Sequence, residues 1–337
     1  MKDLKRDIVL SVENLHTSFQ VGRRTIEVVK GVSFEVHRGK TLAIVGESGC
    51  GKSVTIHSVM KLLPPQGRIT AGKVTYYGKN GRVLPLSEYP PYSKEMRAVR
   101  GREIGIIFQD PMASLNPVYT IGDQIIENLR QHERIGKKEA LERAVAMLQR
   151  LGIPDAARRV HDYPHQFSGG MKQRAMIAIA MICNPQILIA DEPTTALDVT
   201  IQAQIMELMQ ELQDTGGTSI ILITHNMGLV AEMAHYIAVM YLGRVVEYGT
   251  AEQVFEDARH PYTAGLLKSV PVLGMKKDRM YTIRGTTPSV DEVKEGCEFT
   301  SRCDYVMESC RKGVIPEYLV DEGHMVRCNL VAEGIRP

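Results

Sequence analysis

The sequence lacks a long hydrophobic run. Its longest apolar stretch, AMIAIAMIC, covers residues 175–183 and is followed by Asn184 and Pro185. A helix needs about 20 apolar residues to cross a bilayer, so we predict no membrane span. The first residues, MKDLKRDIVLSVENL, carry charges and no long apolar segment, which excludes a signal peptide. We therefore expect a cytosolic protein.

The sequence also lacks a large excess of charge of either sign. The formal net charge is +2, which gives no bulk electrostatic reason to bind nucleic acid or an acidic membrane. There is no internal repeat and no low-complexity tract. Apolar residues make up 44% and charged residues 24% of the 337 positions, as in ordinary globular proteins. This length suggests two to three domains.

The hydrophobic pattern predicts an α/β fold. The segments IVLSVENLHTSF and IEVVKGVSFEV alternate apolar and polar residues, as antiparallel strands do. QILIAD and SIILITH are continuous apolar runs, which are typical of strands buried on both faces of a parallel sheet. KKEALERAVAMLQRLGI has the three- and four-residue spacing of a helix. We expect a helical subdomain at about residues 110–180.

The clearest motif is a phosphate-binding loop. GESGCGKS fits the pattern G-x-x-x-x-G-K-[ST] between a predicted strand and a predicted helix. Its glycines let backbone N–H groups turn toward phosphate oxygens. Lys52 is expected to reach the β- and γ-phosphates and the hydroxyl of Ser53 to ligate Mg²⁺. We interpret Cys50 as a small filler. The predicted nucleotide-binding residues are Gly46, Glu47, Ser48, Gly49, Cys50, Gly51, Lys52, Ser53 and Val54.

A second motif, QILIADEP, places two carboxylates at the end of a predicted strand. The carboxyl ends of strands in open α/β sheets are where ligands bind. Asp191 is expected to hold Mg²⁺ and Glu192 to polarise or deprotonate an attacking water. Together with the phosphate loop, this motif predicts hydrolysis of a nucleoside triphosphate.

A third motif, FSGGMKQRAMIAIAM, puts Ser168, Gly169 and Gly170 at the start of a predicted helix. A helix N-terminus is an anion-binding site. One phosphate loop does not need a second such site unless two chains face each other and each completes the other's site. The alternative is an ordinary helix cap.

These motifs occur in the order found in the ATP-binding cassette family, which the chain resembles over about residues 8–255. FSGGMKQR resembles the family signature but has Phe167 and Met171 where Leu and Gln are commoner. The Q-loop, D-loop and switch positions correspond to Gln109 in GIIFQD, Asp198 in TTALDV and His225 in LITHN. The resemblance implies a RecA-like parallel-sheet core with an antiparallel β subdomain and a helical subdomain.

The resemblance also implies a mechanism. Two cassettes would close head to tail on two ATP molecules, each site joining one phosphate loop to the signature helix of the other chain. Gln109 would contact Mg²⁺ or water and report to a membrane partner. Glu192 would be the general base, and His225 would contact the γ-phosphate. Asp198 would lie at the same nucleotide interface. Adenine stacks on an aromatic side chain in this family, and Phe19 is either that residue or a core phenylalanine.

Two further segments resemble the oligopeptide/dipeptide importer ATPases. They are FQDPMASLNP and HPYTAGLLKSVP, the latter beginning a C-terminal extension at about residues 256–337. Nickel importers share much of this pattern, so a nickel importer remains the alternative, with a non-transport ATPase more remote. The implied partners are a homologous ATPase or a second copy, two transmembrane permease subunits and an extracytoplasmic binding protein. The implied location is the cytoplasmic face of the membrane.

Four of the six cysteines lie in this extension, with five, six and seventeen residues between them: Cys297, Cys303, Cys310 and Cys328. In a cytosolic protein, clustered cysteines indicate metal ligands rather than disulfides. These gaps match neither zinc ribbons nor ferredoxin runs, so iron–sulfur, zinc and unliganded thiols all stay open. The family resemblance implies a [4Fe-4S] cluster. We expect His324 at the surface or beside the ligands, and Cys183 in the core.

Overall fold

The computed structural model describes residues 7–194, 197–270, 281–293 and 295–337. Its strands are β1 Ile8–Val21, β2 Arg24–His37, β3 Thr41–Val45, β4 Gly67–Tyr77, β5 Val83–Pro85, β6 Ile104–Ile107, β7 Ile187–Asp191, β8 Ser219–Thr224, β9 Tyr236–Tyr241, β10 Arg244–Thr250, β11 Tyr318–Asp321 and β12 His324–Val326. Its α-helices are α1 Lys52–Val59, α2 Lys94–Val99, α3 Pro111–Ser114, α4 Ile121–His132, α5 Lys137–Arg150, α6 Ala156–Arg159, α7 Gly169–Met181, α8 Val199–Gly216, α9 Met227–Met233, α10 Ala251–Glu256 and α11 Pro261–Lys268.

The N-terminal segments form a four-stranded antiparallel sheet in the order β2-β1-β4-β5. The predicted pairing of β1 with β2 is confirmed, with Val12 opposite Phe34. Both of these side chains are buried. Alternation along the two strands places the apolar residues over the helix α1, which carries Ile56 and Val59 into the same core.

The second sheet has the order β11-β12-β10-β9-β3-β8-β7-β6. The five strands from β9 to β6 are parallel. β3, β7 and β8 are buried at every residue, as their continuous apolar sequences predict. The carboxyl ends of these three neighbouring strands lead directly into the phosphate loop, Glu192 and His225.

A separate apolar core joins the helices that follow β6. Leu129 of α4, Leu148 of α5 and Ile177 of α7 are buried together in it. This agrees with the helical spacing in the sequence. The exact subdomain and domain boundaries stay predictions.

The C-terminal segment extends the large sheet. β12 pairs antiparallel with β10, placing Val326 opposite Glu247, and β11 pairs with β12. Helix α11 contributes Tyr262 to a core that also contains Val239, Tyr241 and Phe299. Within the described residues, no helix combines the length and the apolarity that crossing a membrane requires.

Candidate nucleotide site

The phosphate loop links β3 to α1 and depends on two glycines. Gly46 has φ 152°, and a Cβ there would lie 2.2 Å from the carbonyl oxygen of Met240. Gly51 has φ 104° where the chain enters α1. A residue with a side chain is strongly disfavoured where φ is positive or where another backbone segment lies this close. The loop geometry therefore explains why glycine stands at these positions.

Lys52 is folded back over this loop. Its buried Nζ donates to the carbonyl oxygens of Gly46 at 2.8 Å and of Glu47 at 3.0 Å. The ammonium thus lies at the positive end of the α1 dipole, a setting that favours a bound anion. Cys50, a residue of the loop itself, is buried, and burial raises the pKa of its thiol. It fills space here as a neutral group.

Ser53 and Asp191 lie together next to the loop and fit a magnesium site. The Ser53 side chain hydrogen-bonds to the Asp191 carboxylate. A magnesium ligand also needs an oxygen that is not already hydrogen-bonded. Oδ1 of Asp191 is buried without a hydrogen-bond partner among the described residues. Burial raises the pKa of Asp191, while the Ser53 bond acts in the opposite direction. Mg²⁺ prefers carboxylate and hydroxyl oxygens.

Glu192 is held between two residues from different motifs. Nε2 of Gln109 donates to Oε2 of Glu192 at 3.1 Å, and Nδ1 of His225 lies 3.2 Å from Oε1. Glu192 has φ 47°, which is uncommon for a residue with a side chain and often marks a functional position. The structure thus brings together the three predicted catalytic side chains, although their roles stay predictions.

The signature residues start helix α7. The hydroxyl of Ser168 accepts the backbone N–H of Met171 at 3.4 Å, and Gly169 is the first helical residue. α7 packs in the helical core, whereas α1 packs under the antiparallel sheet. The two helix starts therefore belong to different packing units of the same chain. A Cβ at Gly170 would lie 3.1 Å from Ile201.

Asp198 and Phe19 occupy the edges of this region. The Asp198 carboxylate accepts the backbone N–H of Ile201 at 2.9 Å and so caps α8. Residues 195 and 196 of the TTALDV motif lie outside the described residues. Phe19 is half-buried on β1, and a Cβ at Gly67 would lie 2.8 Å from its ring. The ring packs against the backbone of the neighbouring strand, and adenine stacking stays a prediction.

The four clustered cysteines line one pocket in the C-terminal segment, together with Phe299 and His260. The described residues contain no group of three or more His, Cys, Asp or Glu side chains close enough to hold a metal ion. The geometry of the described residues therefore gives no support to the [4Fe-4S] cluster that the family resemblance implies.

Burial controls the state of these thiols. It raises the pKa of Cys297 to about 12 and that of Cys328 to about 11. Backbone hydrogen bonds from Phe299 and Leu330 act in the opposite direction. The N–H of Tyr305 likewise lies 3.4 Å from Sγ of Cys303. Donors aimed at sulfur stabilise the thiolate form.

Two histidines near the cysteines are buried. His324 lies with its Nε2 2.9 Å from Glu247, so the surface position is wrong, and the alternative place beside the cysteine ligands stays a prediction. His260 accepts the N–H of Tyr262 through Nδ1 at 3.1 Å, and burial lowers its pKa to about 4. The neutral ring therefore carries its proton on Nε2. That buried donor has no partner among the described residues and fits an acceptor in the pocket.

A loop that cradles phosphate at the head of a parallel sheet defines a P-loop nucleoside triphosphatase. Residues 29–195 match the family model described as ABC transporter, and residues 246–310 match oligopeptide/dipeptide transporter, C-terminal region. A dimeric ATP-binding cassette solved in a post-hydrolysis state with ADP and Pi has a TM-score of 0.62 and 27% identity, covering 72% of this chain and 98% of that one.

Curated relatives match nearly the whole chain. A peptide import ATP-binding protein of Brucella abortus is 51% identical over 332 residues, which cover 96% of this chain and 98% of the relative. The dipeptide and oligopeptide transport ATP-binding proteins of Bacillus subtilis are 50% and 49% identical over 321 residues, 95% of this chain and 94% and 88% of theirs. The chain belongs to the ATP-binding cassette family of transporter ATPases.

Proposed function

We propose that this protein is the ATP-hydrolysing subunit of a peptide importer. The observation that carries this proposal is its similarity, along nearly its full length, to ATP-binding proteins named for dipeptide and oligopeptide transport. The match extends into the C-terminal region found in such proteins. The peptide reading is therefore preferred to a nickel importer or a non-transport ATPase.

The arrangement of side chains supports hydrolysis of ATP. The phosphate loop and Lys52 bind the triphosphate, and Ser53, Asp191 and Gln109 would hold Mg²⁺. When bound, this ion neutralises charge on the phosphate oxygens. Glu192 takes the proton of the attacking water. His225, 3.2 Å from Glu192, orients that carboxylate and contacts the γ-phosphate.

Two cassettes are needed to complete each site. A solved cassette that is 27% identical is a dimer bound to ADP and Pi, and we propose that here too a second cassette places its Ser168–Gly170 segment against the nucleotide. That cassette is a second copy or a homologous ATPase. Two permease subunits and an extracytoplasmic binding protein complete the importer, and the ATPase acts at the cytoplasmic face of the membrane.

A transport assay tests the proposed function. In a host strain that carries this chain as its copy of the importer ATPase, Lys52→Ala should abolish uptake of labelled di- and oligopeptides and leave uptake of nickel unchanged. Lys94→Ala on the exposed side of α2 is the control, because it removes the same charge outside the phosphate loop. Loss of nickel uptake with normal peptide uptake would overturn the peptide assignment.

We also propose that Cys297, Cys303, Cys310 and Cys328 hold a [4Fe-4S] cluster. The proposal is supported by four thiols lining one pocket, by backbone donors to three of them and by the unpaired donor of His260. Such a group would cross-link the segment, as structural metals do in small folds. No step of ATP hydrolysis uses it.

Metal analysis tests this second proposal independently of transport. Protein purified without oxygen should contain about four irons and four acid-labile sulfides per chain. A Cys303→Ser variant should lose them, and Cys183→Ser, which lies outside the pocket, should retain them. Stoichiometric zinc, or no metal at all, would overturn the cluster and leave the ATPase proposal intact.

A further inference from the structure

The phosphate loop is held by residues of the C-terminal segment. The two terminal guanidinium nitrogens of Arg302 donate to the two carboxylate oxygens of Glu47, at 2.6 Å from Nη1 and 2.9 Å from Nη2. The hydroxyl of Thr287 donates to the same carboxylate at 2.5 Å. Two-point arginine–carboxylate pairs are both strong and directional. The side chain of Glu47 is thus fixed from outside the loop.

The backbone of Glu47 is held from the same side. Its N–H donates to the hydroxyl of Tyr262 at 2.8 Å. Tyr262 is fully buried, and its ring lies 4.7 Å from that of Tyr241 and 5.4 Å from that of Phe299. A side chain packed this tightly cannot follow the loop if the loop moves. Tyr262 therefore defines the position of the Glu47 backbone.

Glu47 presents an electrostatic problem that Arg302 solves. A loop built to bind a triphosphate contains an anionic side chain, which would repel that ligand. Burial works to raise the pKa of Glu47, but hydrogen bonds from Arg302 and Thr287 outweigh it and keep the pKa below its ordinary value. The carboxylate is therefore ionised. The Arg302 side chain, only 4% exposed, neutralises it in place.

We propose that Arg302 and Tyr262 are positioning residues of the nucleotide site, which hold Glu47 turned away from the phosphates and keep the loop in its ATP-binding shape. This inference rests on the proposed ATP binding and adds to it. The C-terminal segment becomes part of the nucleotide site, and removing its grip on Glu47 weakens ATP binding without touching the residues that contact phosphate.

Affinity measurements on the full-length chain test the proposal. Titration calorimetry with Mg-ATP should show about a tenfold weaker Kd for Arg302→Gln, the loss typical of a hydrogen bond to a charged group. Adding Glu47→Gln removes the charge that Arg302 neutralises. The double variant Glu47→Gln/Arg302→Gln should therefore bind Mg-ATP more tightly than Arg302→Gln alone, but more weakly than the wild type, because the loop is still not held. A role of Arg302 in folding alone would not be rescued in this way.

Matched variants make the result decisive. Arg284→Gln removes an exposed arginine of the same segment, paired with Asp304 at 3.2 Å, and should bind ATP normally. Tyr262→Phe removes one hydroxyl and should weaken binding severalfold. If Arg302→Gln does not fold, Arg302→Lys keeps the charge, loses the two-point geometry and should give an intermediate Kd.

Two outcomes would overturn the proposal. One is wild-type affinity in both Tyr262→Phe and the folded Arg302 variant. The other is a loss of affinity that Glu47→Gln does not relieve. Failure of the wild-type chain itself to bind ATP would instead overturn the proposed function, so the two failures are distinguishable.

Discussion

Nδ1 of His225 lies 3.2 Å from the carboxylate of Glu192, although the two residues follow different strands. β7 ends just before Glu192 and β8 ends just before His225, and these strands are parallel neighbours. Their carboxyl ends therefore deliver both side chains to one place. The side chain of Glu192 is 14% exposed and that of His225 is 64% exposed. The carboxylate is thus sheltered, while the imidazole remains open to a ligand.

Glu192→Gln should abolish turnover and retain ATP binding. The amide keeps the size of the side chain but cannot accept a proton, so we expect a loss of about 10²- to 10⁴-fold in rate. ATP should accumulate in a closed dimer, visible by light scattering. Glu232→Gln on the exposed side of α9 is the control. Turnover near the wild-type rate would contradict the general-base role.

Asp191→Asn should remove the magnesium ligand and should not destabilise the nucleotide-free protein at neutral pH. The folded state raises the pKa of Asp191. The stability that its protonated form provides below the ordinary pKa is therefore lost as the pH rises through the raised value. At pH 7.5 the nucleotide-free variant should melt at or above the wild-type temperature, and the difference should shrink as the pH falls.

Thermal melting with and without Mg-ATP measures both effects of this substitution. Mg-ATP should raise the melting temperature of the wild type and of the exposed control Asp214→Asn, but not that of Asp191→Asn. If the variant gains the same thermal shift from Mg-ATP as the wild type, then Asp191 is not a magnesium ligand.

Phe19 can be tested with a probe that the sequence itself permits. The chain contains no tryptophan, so Phe19→Trp creates a single indole fluorophore. If adenine stacks on this side chain, ATP should change its emission, and Phe19→Ala should weaken binding by the ~1–3 kcal/mol typical of base–aromatic stacking. Tyr92→Trp, at a site that is 82% exposed between β5 and α2, should not respond. Unchanged ATP affinity in Phe19→Ala would make Phe19 a core residue.

Cys303→Ser should affect both the cysteine pocket and the nucleotide site. The variant should lose bound iron and melt at a lower temperature, since a group that cross-links the folded state stabilises it. Arg302 is its chain neighbour, and the guanidinium lies 5.9 Å from the ring of Phe299, which lines the cysteine pocket. ATP affinity should therefore fall as well. Calorimetry and iron analysis check this, and a variant with unchanged melting, iron content and affinity would refute the coupling.

The sequence predicts most of the nucleotide site because its motifs are local. Lys52 and Ser53 are adjacent in the chain and follow a predicted strand. Asp191 ends another predicted strand, so the strand patterns place all three residues at the same edge of the sheet. Arg302 and Glu47 are different, since they are 255 positions apart and no periodicity links them. His324 is similar, since the residues around it in the sequence do not indicate that it is buried and paired with Glu247. Long-range polar contacts depend on packing that no single segment specifies.

The pairing of β12 with β10 also bears on whether the C-terminal segment can be truncated. Without the residues after 256, β10 would be an edge strand with unpaired backbone N–H and C=O groups. Such a strand can pair with strands of other molecules. The outer strand that replaces it, β11, has only four residues and is flanked by Glu317 and Glu322. We therefore expect a chain truncated after residue 256 to aggregate more readily than the full-length chain, because β10 would lose its pairing with β12.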